Sequence, residues 1–151
     1  MAYKGKYKPR FPKKYRGDPT SIIYRSLWER NCMVYFDQNP GILEWASEEV
    51  IVPYKSPVDG RWHRYFPDFI IHVEDKEKKR KTIMIEVKPY AQTKEPKIKS
   101  KSSRPTKKYL YEVSTYSINI AKWKAAKEFC ADKNWQFMLL TEKELPKWQY
   151  H

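Results

Sequence analysis

A chain of 151 residues with 40% hydrophobic content suits one compact core and leaves no comfortable room for a second full domain. No apolar run reaches membrane-spanning length, and the basic N-terminus lacks the apolar stretch of a secretory signal, so a soluble, unprocessed protein with no membrane role is expected. The formal charge of +13 sits in two segments: residues 1–16 hold seven basic residues and no acid, residues 94–108 hold seven against Glu95 alone, and the remainder balances at 17 of each sign.

Residues 1–20 read as a basic N-terminal arm. Tyr3, Tyr7, Phe11 and Tyr15 recur every four residues, but Pro9 and Pro12 oppose a regular helix, so an extended arm is expected, its aromatics docked on the protein body. Docking on a partner and stacking on bases are the other readings. Residues 21–151 read as a single domain with a basic loop at 94–108.

Trp28, Cys32, Tyr35 and Phe36 fall at helical spacing, which predicts a helix from Ser26 to Gln38, ended near Pro40. Val50 to Tyr54 is a strand candidate with Pro53 marking an edge or an end. Val58, Asp59 and Gly60 form a turn into a second strand, Arg64 to Val73, and the two are expected to make a hairpin. A charged turn over residues 74–81 leads to a third strand, Thr82 to Lys88, and a three-stranded antiparallel meander with the helix packed on it is the simplest arrangement. After the basic loop, Lys107 to Tyr116 reads as a short helix. Ile118 to Lys133 reads as an amphipathic helix carrying Trp123, Ala126 and Cys130, and Trp135 to Thr141 as an apolar strand buried within the sheet. No internal repeat is visible. Cys32 and Cys130 read as buried free thiols in a reducing compartment, and His63, His72 and His151 form no metal-ligand cluster, so a structural zinc site is not expected.

The chemistry concentrates in Pro67-Asp68 and, eighteen residues on, Glu86-Val87-Lys88. Residues two apart on a strand share a face, so Glu86 and Lys88 point together while Ile83, Ile85 and Val87 point into a core, and Asp68 on a neighbouring strand is placed to meet both. Two carboxylates suit Mg²⁺ or Mn²⁺, which keeps water and phosphate oxygens as its other ligands, and Lys88 is suited to orient water and offset charge developing on phosphorus. The catalytic candidates are Glu29, Asp68, Glu86 and Lys88, with Asp68 and Glu86 as metal ligands. Glu29 has two readings: the third residue of a helix begun at Ser26, where it caps backbone N–H groups, or a third acid of the active site. Lys94, Lys97, Lys99, Lys101 and Arg104 are candidate DNA phosphate contacts. Arg16 and Arg25 are open to phosphate contact or to structural ion pairing, and Glu48 and Glu49, weaker acidic candidates near the expected cleft, read rather as solvated surface.

Pro67-Asp68 and Glu86-Val87-Lys88 resemble the motif of the PD-(D/E)XK nuclease superfamily, which implies a restriction-endonuclease-like α/β sandwich with a central mixed sheet flanked by helices. Ser26 to Glu29, Tyr65 to Asp68, Glu86 to Pro89 and Trp135 to Phe137 look like the endonuclease subunit of bacterial cut-and-paste transposition systems, a pattern that places the helix glutamate, here Glu29, in the catalytic set. Over nearly the whole length the chain resembles more closely the head-completion nucleases of contractile-tailed phages, through Tyr15 to Pro19, Tyr24 to Ser26 with Trp28-Glu29, Tyr65-Phe66 with Asp68, Glu86 to Pro89, and Asn119 with Lys122 to Ala126. That resemblance implies a Mg²⁺- or Mn²⁺-dependent deoxyribonuclease acting on the packaged, double-stranded DNA end before tail joining. Phage head or neck proteins would be its partners, and the host cytoplasm during assembly, or the virion head or neck, its location. The alternatives are a non-catalytic DNA-binding or neck-assembly factor on the same fold, and a basic RNA-binding protein, which would leave Asp68, Glu86 and Lys88 unexplained.

Overall fold

The computed structural model describes residues 4–97 and 105–144. The chain starts with two short strands, β1 (Gly5–Lys6) and β2 (Ile23–Tyr24), paired antiparallel. Helix α1 (Leu27–Gln38) follows, its first turn secured by the Ser26 hydroxyl, which accepts the Glu29 N–H at 3.1 Å. Next come β3 (Ile42–Ser47), the hairpin of β4 (Val52–Lys55) and β5 (Trp62–Tyr65), then β6 (Phe69–Glu74) and β7 (Arg80–Val87). Helix α2 (Lys107–Asp132) crosses back and returns the chain through β8 (Gln136–Leu140). The central sheet has the order β3-β6-β7-β8, antiparallel except for the parallel pair of β7 and β8.

Strand alternation builds a core on each face. Phe69, Ile71, Ile85 and Val87 face α1 and join Met33, Phe36 and Trp45. Ile70 and Met84 face α2 and join Trp123, Ala126 and Cys130, with Val52, Tyr54 and Tyr65 of the hairpin closing that side. Phe36 and Phe69 meet edge to face at 5.0 Å, and burying each such ring contributes about 1.5–3 kcal/mol. Cys32 and Cys130 are buried and unbonded to each other. No helix among the described residues is long and apolar enough to cross a membrane.

The N-terminal aromatics Tyr7 and Tyr15 dock on the body and bury beside Trp45, at ring separations of 6.0 and 4.7 Å. Asp37, fully buried near the end of α1, anchors the segment: it accepts from the Tyr7 hydroxyl at 2.7 Å and from the Arg10 and Phe11 N–H groups at 2.6 and 3.0 Å. Lys14 caps the same helix end, its ammonium donating to the carbonyls of Phe36, Asp37 and Asn39 at 2.8 to 2.9 Å. Phe11 stays exposed, and Tyr3 lies outside the described residues.

Several expectations need correction. The run from Arg64 to Val73 is two strands, not one: Pro67 has no N–H to give a ladder and restricts Phe66, so the chain breaks between Tyr65 and Phe69. β5 therefore pairs with β4 in its own small sheet, and the meander's third strand is β3, whose period-2 pattern is disguised by a register shift between Ile42 and Glu44. The two helices expected across 107–133 are one. Its first half carries only half-buried or exposed apolar residues before Asn119, whereas Asn119, Trp123, Ala126 and Cys130 are buried along the second half. β8 is an edge strand, not an interior one.

Candidate active site

Four elements converge at one end of the central sheet. Asp68 sits on the break just before β6, Glu86 and Lys88 at the end of β7, Glu29 in the first turn of α1, and Lys122 midway along α2. The break at Pro67 is what makes the site: it frees Asp68 from the ladder, so its carboxylate accepts the Val87 N–H at 2.8 Å while its own N–H donates to Glu86 at 3.3 Å. Two acids are thus locked side by side. The Lys88 ammonium lies 3.9 Å from the Glu86 carboxylate.

Burial dominates the electrostatics. Glu86 is only 5% exposed, and burial holds both carboxyls above the ordinary carboxylate range. Asp68 is raised further by the neighbouring Glu86 charge and lowered by the Val87 N–H, and Lys88 opposes the rise at Glu86. Glu29 is pushed up to about 7, first by burial and then by the charge of Asp68. Its carboxylate accepts the Arg25 N–H at 3.0 Å, one residue before the N-cap, so it caps the helix entrance and faces the acidic pair at once.

Lys122 and Tyr65, not singled out as site residues in the sequence, belong to the surroundings of the site, as do Arg25 and Glu48, which form the structural ion pair rather than a phosphate contact and a solvated surface. The half-buried Lys122 ammonium lies 5.5 and 5.8 Å from the ring centroids of Tyr65 and Tyr54, and its pKa is lowered by burial and by Lys88 while Glu86 and Asp68 oppose that shift. Tyr65 is buried beside Glu86, its hydroxyl close to the carboxylate but outside hydrogen-bond geometry, and burial raises its pKa strongly. Arg25 grips Glu48 through two bonds of 2.9 and 3.1 Å. Glu48 itself adopts a left-handed φ of 54° and donates its N–H to the Asp68 carbonyl. The signal for Lys122 was present: it borders the apolar stripe of α2, within a stretch that carried the family resemblance.

The other candidates scatter. Arg16 pairs with Glu44 at 2.6 Å, and Glu44 also binds Arg80 at the start of β7, about 20 Å along that strand from Glu86. Glu49 receives a long bond from the Tyr15 hydroxyl at 3.5 Å. Lys94 and Lys97 line a cavity of about 620 Å³ between the segment after β7 and the first half of α2, with the Lys94 ammonium 4.9 Å from the Tyr90 ring centre. Lys99, Lys101 and Arg104 lie outside the described residues.

A family model described as TnsA-like endonuclease N terminal matches residues 39–142, more than half of the chain. The head completion nuclease of Enterobacteria phage T4 is 38% identical over 146 residues, covering 96% of this chain and 95% of that protein. This chain belongs to the TnsA-like endonuclease family. No solved structure shows a significant match. The TnsA-like match spans Asp68, Glu86, Lys88 and Lys122, and Glu29 precedes it.

Among the described residues no three His, Cys, Asp or Glu side chains form a ready metal cage, but a hard divalent cation needs only one or two carboxylates. The donor set fits such an ion. Two buried carboxyls lie together with a lysine as counter-charge, and the Tyr65 hydroxyl beside them has an unfilled hydrogen bond that a hydrated ion could satisfy.

Proposed function

We propose that this protein is a metal-dependent deoxyribonuclease of PD-(D/E)XK type, with a restriction-endonuclease-like fold, that completes filled phage heads by acting on the packaged DNA end before tail joining. The observation that carries this reading is the buried Asp68–Glu86 pair, with Lys88 3.9 Å from Glu86. The name of the T4 relative supports the role in head completion. Activity would be exercised in the host cytoplasm during assembly or in the head or neck, with head or neck proteins as partners.

Asp68 and Glu86 would hold Mg²⁺ or Mn²⁺, and the bound ion would supply Lewis-acid stabilisation of the phosphate and a more acidic water. The Val87 N–H fixes the Asp68 carboxylate, so the donor is oriented before substrate arrives. Lys88 holds positive charge where phosphorane charge develops, and Lys122 brings a second ammonium from α2. Glu29, with a pKa of about 7, can take a proton from the attacking water near neutral pH. Arg16, Lys94, Lys97, Lys99, Lys101 and Arg104 would contact DNA phosphates away from the centre.

The deciding experiment is a duplex-DNA cleavage assay with Mg²⁺ or Mn²⁺, wild type beside Asp68→Ala. Cleavage by wild type and none by the variant is the expected result. Equal cleavage by both would reject the site, and none by wild type would favour a non-catalytic assembly factor.

A further inference from the structure

The β4–β5 hairpin stands outside the central sheet, and its two faces differ in kind. One packs towards α2 through Val52, Tyr54 and Tyr65. The register sets Lys55 opposite Trp62 and Pro53 opposite Arg64, so these four share the other face, and all four are exposed. Trp62 is 71% exposed, although tryptophan is on average a highly buried residue, which marks it as a contact waiting for a partner. Lys55 lies across from the indole and Arg64 two residues along. Among the described residues neither has an ion-pair partner. Asp59, the one acid within residues 52–65, is already engaged by His63 at 2.8 Å and by the Arg61 N–H at 2.9 Å.

Uncompensated cations flanking an open aromatic ring fit a nucleic-acid strand: the ring takes the face of a base and the cations take phosphates. A protein partner would also value the indole, but it would not account for the unpaired positive charge. Trp62 precedes Asp68 by six residues, a reach of at most about 20 Å, or about six stacked nucleotides. Phe66, 43% exposed, lies between them.

We propose that the outer face of this hairpin binds a single-stranded stretch of the DNA substrate, with Trp62 stacking on an unpaired base and Lys55 and Arg64 holding the flanking phosphates, and so guides a DNA end to the acidic pair. DNA as the ligand rests on the nuclease reading above.

The test is a fluorescence-anisotropy titration of the full chain with a labelled single-stranded oligonucleotide, without divalent metal, across a salt series. Trp62→Ala should weaken binding about tenfold or more at unchanged salt slope, and Trp62→Phe should retain most of it. Lys55→Gln with Arg64→Gln should lower the slope by about 1.4. Wild-type affinity in Trp62→Ala, or an unchanged slope in the double variant, overturns the proposal; combined with failed head completion in infected cells, it would assign the face to a protein instead. Duplex cleavage by the wild type, run alongside, separates the two levels. A wild type that cleaves duplex while the variants bind normally, or that cleaves without binding the single strand, rejects the hairpin alone. One that neither binds nor cleaves rejects both.

Discussion

Glu29→Gln should raise the stability of the metal-free protein while removing its activity. The Glu29 pKa rises from 4.5 to about 7 on folding, which corresponds to about 3 kcal/mol between the two protonation states. The side chain is only partly buried, and solvent screening reduces this to about 1–2 kcal/mol. The sign follows from the protonated carboxyl being favoured in the folded state: wild-type stability is intact below pH 4.5 and is lost as the pH rises through about 7. Glutamine is uncharged throughout and can still accept the Arg25 N–H. The variant should therefore match wild type at acid pH and melt about 2–8 °C higher at pH 8. Thermal unfolding without divalent metal, at pH 5 and pH 8, reads this, and a cleavage assay should show a loss of about two orders of magnitude. A melting temperature lowered by the same amount at both pH values would make Glu29 a helix cap whose geometry glutamine fails to reproduce. Unchanged cleavage would remove it from the catalytic set.

Lys122→Met should lower DNA cleavage about tenfold or more, while Lys122→Arg keeps most of the activity if positive charge is what the site requires; equal losses in both would indicate packing against Tyr54 and Tyr65. Because burial raises both carboxyls of the Asp68–Glu86 pair, Mg²⁺ affinity should rise with pH, and calorimetry in two buffers of different ionisation enthalpy should register proton release on binding. Heat independent of the buffer would contradict the upward shift of the two carboxyls. Asp37→Ala strands the Tyr7 hydroxyl and two N–H groups and should cost about 2–4 kcal/mol in chemical denaturation, with cleavage by the folded fraction unchanged.

The Glu86–Lys88 half of the candidate site could be read directly from the chain because β-strand geometry is local: with a period of two, the two side chains share a face whatever surrounds them. The same holds for α1, whose start at Ser26 and apolar spacing from Trp28 to Phe36 need no tertiary partner to be recognised. Non-local features were hidden. A register shift masked β3, a first half without fully buried residues masked the length of α2, and Pro67 looked like part of a strand when it ends one. Lys122 stands more than thirty residues beyond Lys88 in sequence, and only the packing of α2 against the hairpin brings its ammonium over Tyr65 beside Glu86. The dual position of Glu29 was likewise a matter for the folded chain. Its capping of the helix follows from residue spacing, but its pKa of about 7 comes from burial and from the charge of Asp68, two properties that depend on how distant segments pack and that no local pattern encodes.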